Sequence, residues 1–367
     1  MPRLLGFLVA SASIAAALGA ASCSSSSANS STPSDGGADS GPPPPASVSF
    51  PSTFLWGAAT AGFQVETGDS HTDWAHWVAT AGKIKNGDSP DVGGPDALNH
   101  IPDDVANMKS AGLSGYRFSI EWARLYPTLA DFTNDTPDAA AITAYDTLLS
   151  TLKAAGIEPL VTINHYTLPD YLADVTQPMQ PYGWENAQTG ALFAQLCTRM
   201  ATRYGDRVDD WITINEPINL ALAGYLQGSF PPGIVLDADR TEAVVKAQAL
   251  AHVACFDAIH AADTVDADGD GKAAFVSLAL NMAAINPYDP TQPDDIAAVA
   301  RTDYIYNQWF WNAVVKGDWD DDFDGTLTGP NDKSGDASLS GRADFLGVNY
   351  YQQALISAHH GLLVPII

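Results

Sequence analysis

Asp210-Trp211-Ile212-Thr213-Ile214-Asn215-Glu216-Pro217 decides the fold. Trp211 to Ile214 are all aromatic or β-branched, the residues that a pleated, packed surface takes most readily. They do not alternate with polar residues, so both faces of this strand are covered. That is the mark of a parallel sheet with helices on either side. Asn215 and Glu216 then bring polar groups to the strand end. Pro217 has no N–H to give a ladder and disfavours the α region for the residue before it, which predicts an extended Glu216.

Outward from that stretch the same pattern repeats. Phe54–Ala59, Gly115–Ile120, Glu158–Asn164, Ala273–Leu280 and Phe345–Tyr350 read as further strands. Helical patterns separate them near Asp103–Ala111, Pro137–Ala155, Trp184–Tyr204, Glu242–Ala262 and Pro293–Val315. Strand and helix in alternation give an α/β fold. The spacing predicts a (β/α)8 barrel of which about six of the eight units are present. A doubly wound sheet would show the same alternation, but no Gly-x-Gly-x-x-Gly turn follows the first strand. In a barrel, function gathers where strands pass into loops. Gln64, Arg117, Glu121, Asn164-His165, Asn215-Glu216 and Asn349-Tyr350-Tyr351 all stand at such ends. Each has an ordinary structural reading by itself, as a cap, an ion-pair partner or a packed ring; their clustering is the signal.

The 367 residues carry a net charge of -26. Among the acids only Glu66, Glu121, Glu158, Glu185, Glu216 and Glu242 are glutamate, and the rest are aspartate. This acidic surface excludes nucleic acid as a partner, since phosphate binding needs clustered Lys and Arg. Residues 1–23 read as a lipoprotein-type signal: Arg3, an uncharged apolar run from Leu4 to Ala21, then Cys23 as the lipidation site. Residues 24–49 read as a Ser/Gly/Pro-rich tether, and residues 50–367 as the barrel domain. The expected location is the cell envelope or surface, held to the membrane by the N-terminal lipid; an ordinary secretory signal, giving a soluble exported protein, is the alternative. Cys197 and Cys255 lie in separate helical patterns and read as buried free thiols, with a disulfide as the option that an oxidising compartment allows. Asp266-Ala267-Asp268-Gly269-Asp270-Gly271 has the first half of a calcium loop, but Ser277 stands where the bidentate Glu belongs, so a plain acidic loop is expected. Asp318 to Gly325 reads as a second acidic loop before the last strand.

Several stretches resemble glycoside hydrolase family 1, the β-glucosidase family. Phe54-Leu55-Trp56-Gly57-Ala58-Ala59-Thr60-Ala61-Gly62-Phe63-Gln64-Val65-Glu66 resembles its opening strand, and Tyr116-Arg117-Phe118-Ser119-Ile120-Glu121-Trp122-Ala123-Arg124 its second. Asn164-His165-Tyr166-Thr167-Leu168-Pro169 resembles the third, although a Trp usually stands where this chain has Tyr166. Thr213-Ile214-Asn215-Glu216-Pro217 resembles the acid/base motif; Pro231-Pro232-Gly233 and Asp344-Phe345-Leu346-Gly347-Val348-Asn349-Tyr350-Tyr351 follow in family order. The resemblance runs from Phe50 to Tyr351. It implies a retaining β-glycosidase that hydrolyses terminal β-linked glucose or related sugars, without cofactor or metal. Glu216 would be the acid/base, ending an apolar strand where water is scarce. Asn215 would bond the sugar 2-hydroxyl, and Gln64, His165 and Asn349 would bind the sugar. Arg117 and Tyr351 would orient the nucleophile. Tyr166, Trp122 and Trp184 are candidate aromatic walls.

Retaining hydrolysis needs two carboxyl groups about 5–5.5 Å apart across the anomeric carbon. The family's nucleophile stands in a Glu-Asn-Gly context on the seventh strand, and no Glu follows Glu242 here. The resemblance is therefore to a C-terminally truncated member, expected to be nearly inactive as it stands. The alternative is a catalytically dead, carbohydrate-binding surface lipoprotein.

Overall fold

The computed structural model describes residues 49–177, 181–358 and 364–366. Seven strands form one sheet in sequence order: β1 Gly57–Ala59, β2 Gly115–Ser119, β3 Glu158–Asn164, β4 Asp210–Asn215, β5 Phe275–Pro287, β6 Gly347–Ile356 and β7 Val364–Ile366. β1 to β6 are parallel to their neighbours, and β7 alone runs antiparallel, along β6. The six parallel strands curl into a half-barrel, an incomplete (β/α)8 fold. β3 and β4 have the bounds expected from sequence. β1 is shorter, since Phe54 to Trp56 precede the strand and lie exposed, while β5 and β6 run further.

Each crossover helix is set by its ends. Helix Ala139–Ala155 starts where the Asp138 carboxylate accepts the Ala141 amide at 2.8 Å, and stops at Gly156 with φ 72°. Helix Ala238–Ala262 starts at Asp237, whose side chain accepts from the Arg240 amide. It packs on helix Thr189–Tyr204. Cys197 and Cys255, expected as free thiols, join these two helices in a disulfide with a Cα–Cα separation of 5.4 Å. Helical register had turned both sulfurs inward, and packing brought them together. The helical pattern from Pro293 to Val315 is not continuous: an α-helix over Pro293–Asp303 passes into π-helical turns at Tyr304–Gln308 and Asn312–Lys316, separated by Trp309–Trp311.

The core lies between sheet and helices. Val161, Trp211, Ile214, Val276 and Leu278 from the strands meet Leu149, Phe193, Val244 and Ile259 from the helices, all buried. Trp122 and Trp184 belong to this layer too, packed on Phe132 and Phe193. Neither lines the large cavity at the strand ends.

Candidate active site

Glu216 follows β4 directly and caps helix Pro217–Tyr225. Its backbone is left-handed, φ 49° and ψ 57°, and not extended as the sequence implied. Pro217 does keep it out of the right-handed region. The helix must begin at Pro217, however, and the sharp turn from strand to helix takes the chain through the left-handed well. Tyr166, two residues after β3, is left-handed as well, with φ 72°. A non-glycine residue held there costs on the order of 1 kcal/mol. The two strained residues meet: the Tyr166 hydroxyl donates to Glu216 Oε2.

Around Glu216 the strand ends converge. Asn349 Nδ2, from β6, donates to Glu216 Oε1 at 2.5 Å and to Asn215 Oδ1 at 3.0 Å. Arg117, from β2, donates to Asn215 Oδ1 at 2.6 Å, to Asn349 Oδ1 at 3.2 Å and to Thr162 Oγ1 at 2.9 Å. Burial lowers the Arg117 pKa from its ordinary value, and the Glu216 carboxylate opposes that. Asn219, one turn into the helix, donates to Glu216 Oε2 at 2.9 Å. Four strands thus supply one polar cluster around one buried carboxyl group. Tyr351 stands on the exposed side of β6, close enough to feel the charges of Glu216 and Arg117.

Beside this cluster opens a cavity of about 500 Å³, lined by Phe63, Gln64, Trp74, His165, Tyr166 and Phe230 among others. Its walls combine edge-on rings, Trp74 on Phe230 and Tyr166 on Phe230, with the polar groups of Gln64 and His165. Apolar ring faces and a few fixed polar groups suit a sugar, whose C–H face and hydroxyl edge differ in the same way. Burial, helped by Arg117, lowers the His165 pKa to about 3, so its ring is neutral and offers both a donor and an acceptor.

The model of the family "Glycosyl hydrolase family 1" matches residues 46–363, most of the chain. The chain belongs to glycosyl hydrolase family 1. A β-galactosidase of Pyrococcus woesei is 29% identical over 87% of this chain and 70% of its own length. β-Glucosidase A of Thermotoga maritima is 32% identical over 84% of this chain and 66% of its own. The chain thus spans about two thirds of the length of these relatives. Among solved structures, the β-glucosidase from Thermotoga maritima in complex with glucoimidazole superposes with a TM-score of 0.72 at 26% identity, covering 87% of this chain and 70% of that one.

This member of glycosyl hydrolase family 1 also holds groups that sequence reasoning passed over. Asn219 and Tyr306 are two. The segment from Asp88 to Gly94, which lines the cavity, carried no pattern that would place it there. Behind the cavity Glu66, Asp69 and Glu121 are buried close to one cation, Arg124, which pairs with Glu66 at 2.8 Å. Glu121 accepts from the Phe63 amide and the Thr167 hydroxyl, so it ties together the two loops that carry Gln64 and His165. Two groups of carboxylates bring ligand atoms within 4.8 Å of one another, Asp209 with Asp266 and Asp268, and Asp320 with Asp322 and Asp324. In the first, Asp209 accepts the amides of Ala267 and Asp268; in the second, Asp320 accepts the Gly325 amide and the Tyr304 hydroxyl. Both act as loop-shaping acids. Cys23 lies outside the described residues.

Proposed function

We propose that these 367 residues carry the sugar-binding and acid/base half of a retaining β-glycosidase acting on terminal β-linked glucose or a related sugar, with the attacking carboxylate supplied from outside them. The observation that supports this reading is the ring of donors around Glu216: Asn349, Asn219 and Tyr166 aim at one buried carboxyl group beside a cavity of sugar size. Glu216 donates a proton to the departing oxygen, then takes one from water. Asn215 bonds the sugar 2-hydroxyl, and Gln64, His165 and Asn349 bind other parts of the sugar. Arg117 and Tyr351 orient the nucleophile.

Four other glutamates are poorly placed to attack. Glu121 and Glu66 are held in the network behind the cavity. Glu158 begins β3, at the opposite end of the sheet. Glu185 is paired with Arg240. General acid catalysis alone contributes about 10²–10⁴-fold. The test is hydrolysis of a chromogenic β-glucoside by the 367-residue chain, by a version extended through two further β/α units, and by Glu216→Gln forms of both. Turnover is expected only in the extended form and is lost with Glu216→Gln. Strong turnover by the 367-residue chain, abolished by the same substitution, would mean that a nucleophile lies within it.

We also propose export and lipid anchoring at Cys23. The Cys197–Cys255 disulfide supports export, because such bonds persist in oxidising compartments. Mass spectrometry of the mature N-terminus decides the anchor: a diacylglyceryl Cys23 is expected, and a soluble product lacking Cys23 would refute it.

A further inference from the structure

Two amides flank the Glu216 carboxyl group, and each has its oxygen already engaged. Asn349 gives its Nδ2 to Glu216 Oε1 at 2.5 Å, while its Oδ1 accepts from Arg117 at 3.2 Å. Asn219 gives its Nδ2 to Glu216 Oε2 at 2.9 Å, while its Oδ1 accepts from the Tyr306 hydroxyl at 2.9 Å. An amide can turn either its N–H or its oxygen toward a neighbour. Here a donor behind each amide settles the choice. Asn219 and Tyr306 lie between the motifs quoted from the sequence, inside the matched span 46–363.

The position of Tyr306 is built with care by the fold. It lies in the π-helical turn Tyr304–Gln308, after β5, and is buried. Wide turns of this kind are frequent at functional sites, because they re-aim side chains that an α-helix would point elsewhere. The next residue, Asn307, fastens the turn to the sheet. Its Oδ1 accepts the Ala283 amide at 3.1 Å and its Nδ2 donates to the Ala283 carbonyl at 2.9 Å. Ala283 lies inside the register shift between Met282 and Ala284 of β5. The hydroxyl that orients Asn219 is therefore anchored to the strand next to β4.

We infer that Tyr306 and Asn219 form a positioning relay for the acid/base carboxyl group, in which the Tyr306 hydroxyl fixes the Asn219 amide so that only its N–H face meets Glu216. The chemical meaning of the relay rests on the proposed glycosidase reading; its existence rests on geometry. With both amide oxygens turned away, neither amide can accept a proton from Glu216. Of its side-chain partners here only the Tyr166 hydroxyl can. The carboxylic acid, once formed, is thus left to point toward Tyr166 or toward a sugar oxygen in the cavity. Loss of the Tyr306 hydroxyl frees Asn219 to turn its oxygen inward and capture that proton.

The probe is glucoimidazole, whose ring nitrogen offers an acceptor to a neighbouring carboxyl group. Its affinity for the 367-residue chain is measured by calorimetry from pH 5 to pH 8, for the unaltered protein, Tyr306→Phe, Asn219→Ala and the double variant. Tyr306→Phe is expected to weaken binding about tenfold, because the freed Asn219 amide no longer holds its hydrogen bond to the Glu216 carboxyl group. The pH profile of binding should change with it. The double variant should bind no worse than Asn219→Ala alone, since coupled residues are not additive. A Tyr306→Phe chain with unchanged affinity and pH profile, or losses that simply add, would overturn the relay. A second readout needs no ligand. The side-chain ¹⁵N–¹H signals of Asn219 should shift and exchange faster with solvent in Tyr306→Phe, and an unmoved signal refutes the orientation. If the unaltered chain fails to bind glucoimidazole at all, the glycosidase reading falls, and the Asn219 signals still decide the relay.

Discussion

Trp211, in the middle of the sheet, has no exposed surface, while Trp56, at the entry to β1, is 54% exposed. Both are large apolar residues at the same sheet. The difference is one of neighbours. β2 to β5 have a strand on each side and helices behind them; β1 has a partner on one side only. The site straddles this divide. Arg117, Asn215 and Glu216 come from the covered strands, whereas Asn349 and Tyr351 come from β6, where Val348, Tyr350 and Tyr351 are exposed. The polar cluster around Glu216 is thus held partly by a covered part of the molecule and partly by an open one.

The contrast breaks most directly at its two ends. Trp211→Ala should cost about 4 kcal/mol of stability, read by urea denaturation, because it empties a packed site and strips Asp263 of the indole N–H it accepts at 3.1 Å. A cost near zero would mean that the covered half is not packed as described. Next comes the disulfide that binds two helices behind the covered strands, closing a sequence separation of 58 residues. Cys197→Ser should cost about 3 kcal/mol. Unchanged unfolding with and without reductant would show that the bond is not formed.

A pH series sharpens the border between the halves. Burial raises the Glu66 pKa to about 8 in spite of Arg124. The folded state therefore binds a proton that the unfolded chain releases near pH 4.5, the ordinary value. Stability from this group is full below pH 4.5 and is lost as pH rises toward about 8. The melting temperature should fall across that window, and Glu66→Gln should flatten the fall. Asp69 and Asp73, both raised to about 7 by burial, leave a smaller slope of the same sign. A slope untouched by Glu66→Gln would remove Glu66 from the account. The smallest effect belongs to the open half: Val348→Thr should change stability by less than about 0.5 kcal/mol. A larger loss would show that this surface is covered in solution.

What was legible in the sequence follows the same divide. β3 and β4 could be bounded to the residue because their apolar runs are buried on both faces and closed by polar groups. Phe54 to Trp56 look just as strand-like, yet the ladder starts at Gly57, where a side chain would meet the Gly115 carbonyl at 2.6 Å. Composition does not carry that close approach. Glu216, Asn215 and Arg117 were legible because they end or lie within well-formed strands. Asn219 and Tyr306 were not, since one depends on a helix register after a proline and the other on a π turn. The disulfide was left open because two sulfurs in separate helices meet only through packing.

The left-handed backbone at Glu216 bears on what could replace it. Glycine or asparagine would sit at φ 49° with less strain. Under the role proposed for Glu216, glycine there would relax the turn, end the acid/base chemistry and leave the Asn219, Asn349 and Tyr166 donors without their acceptor. The strained backbone at position 216 thus holds a carboxyl group that the turn by itself does not favour, and in this chain that residue is glutamate.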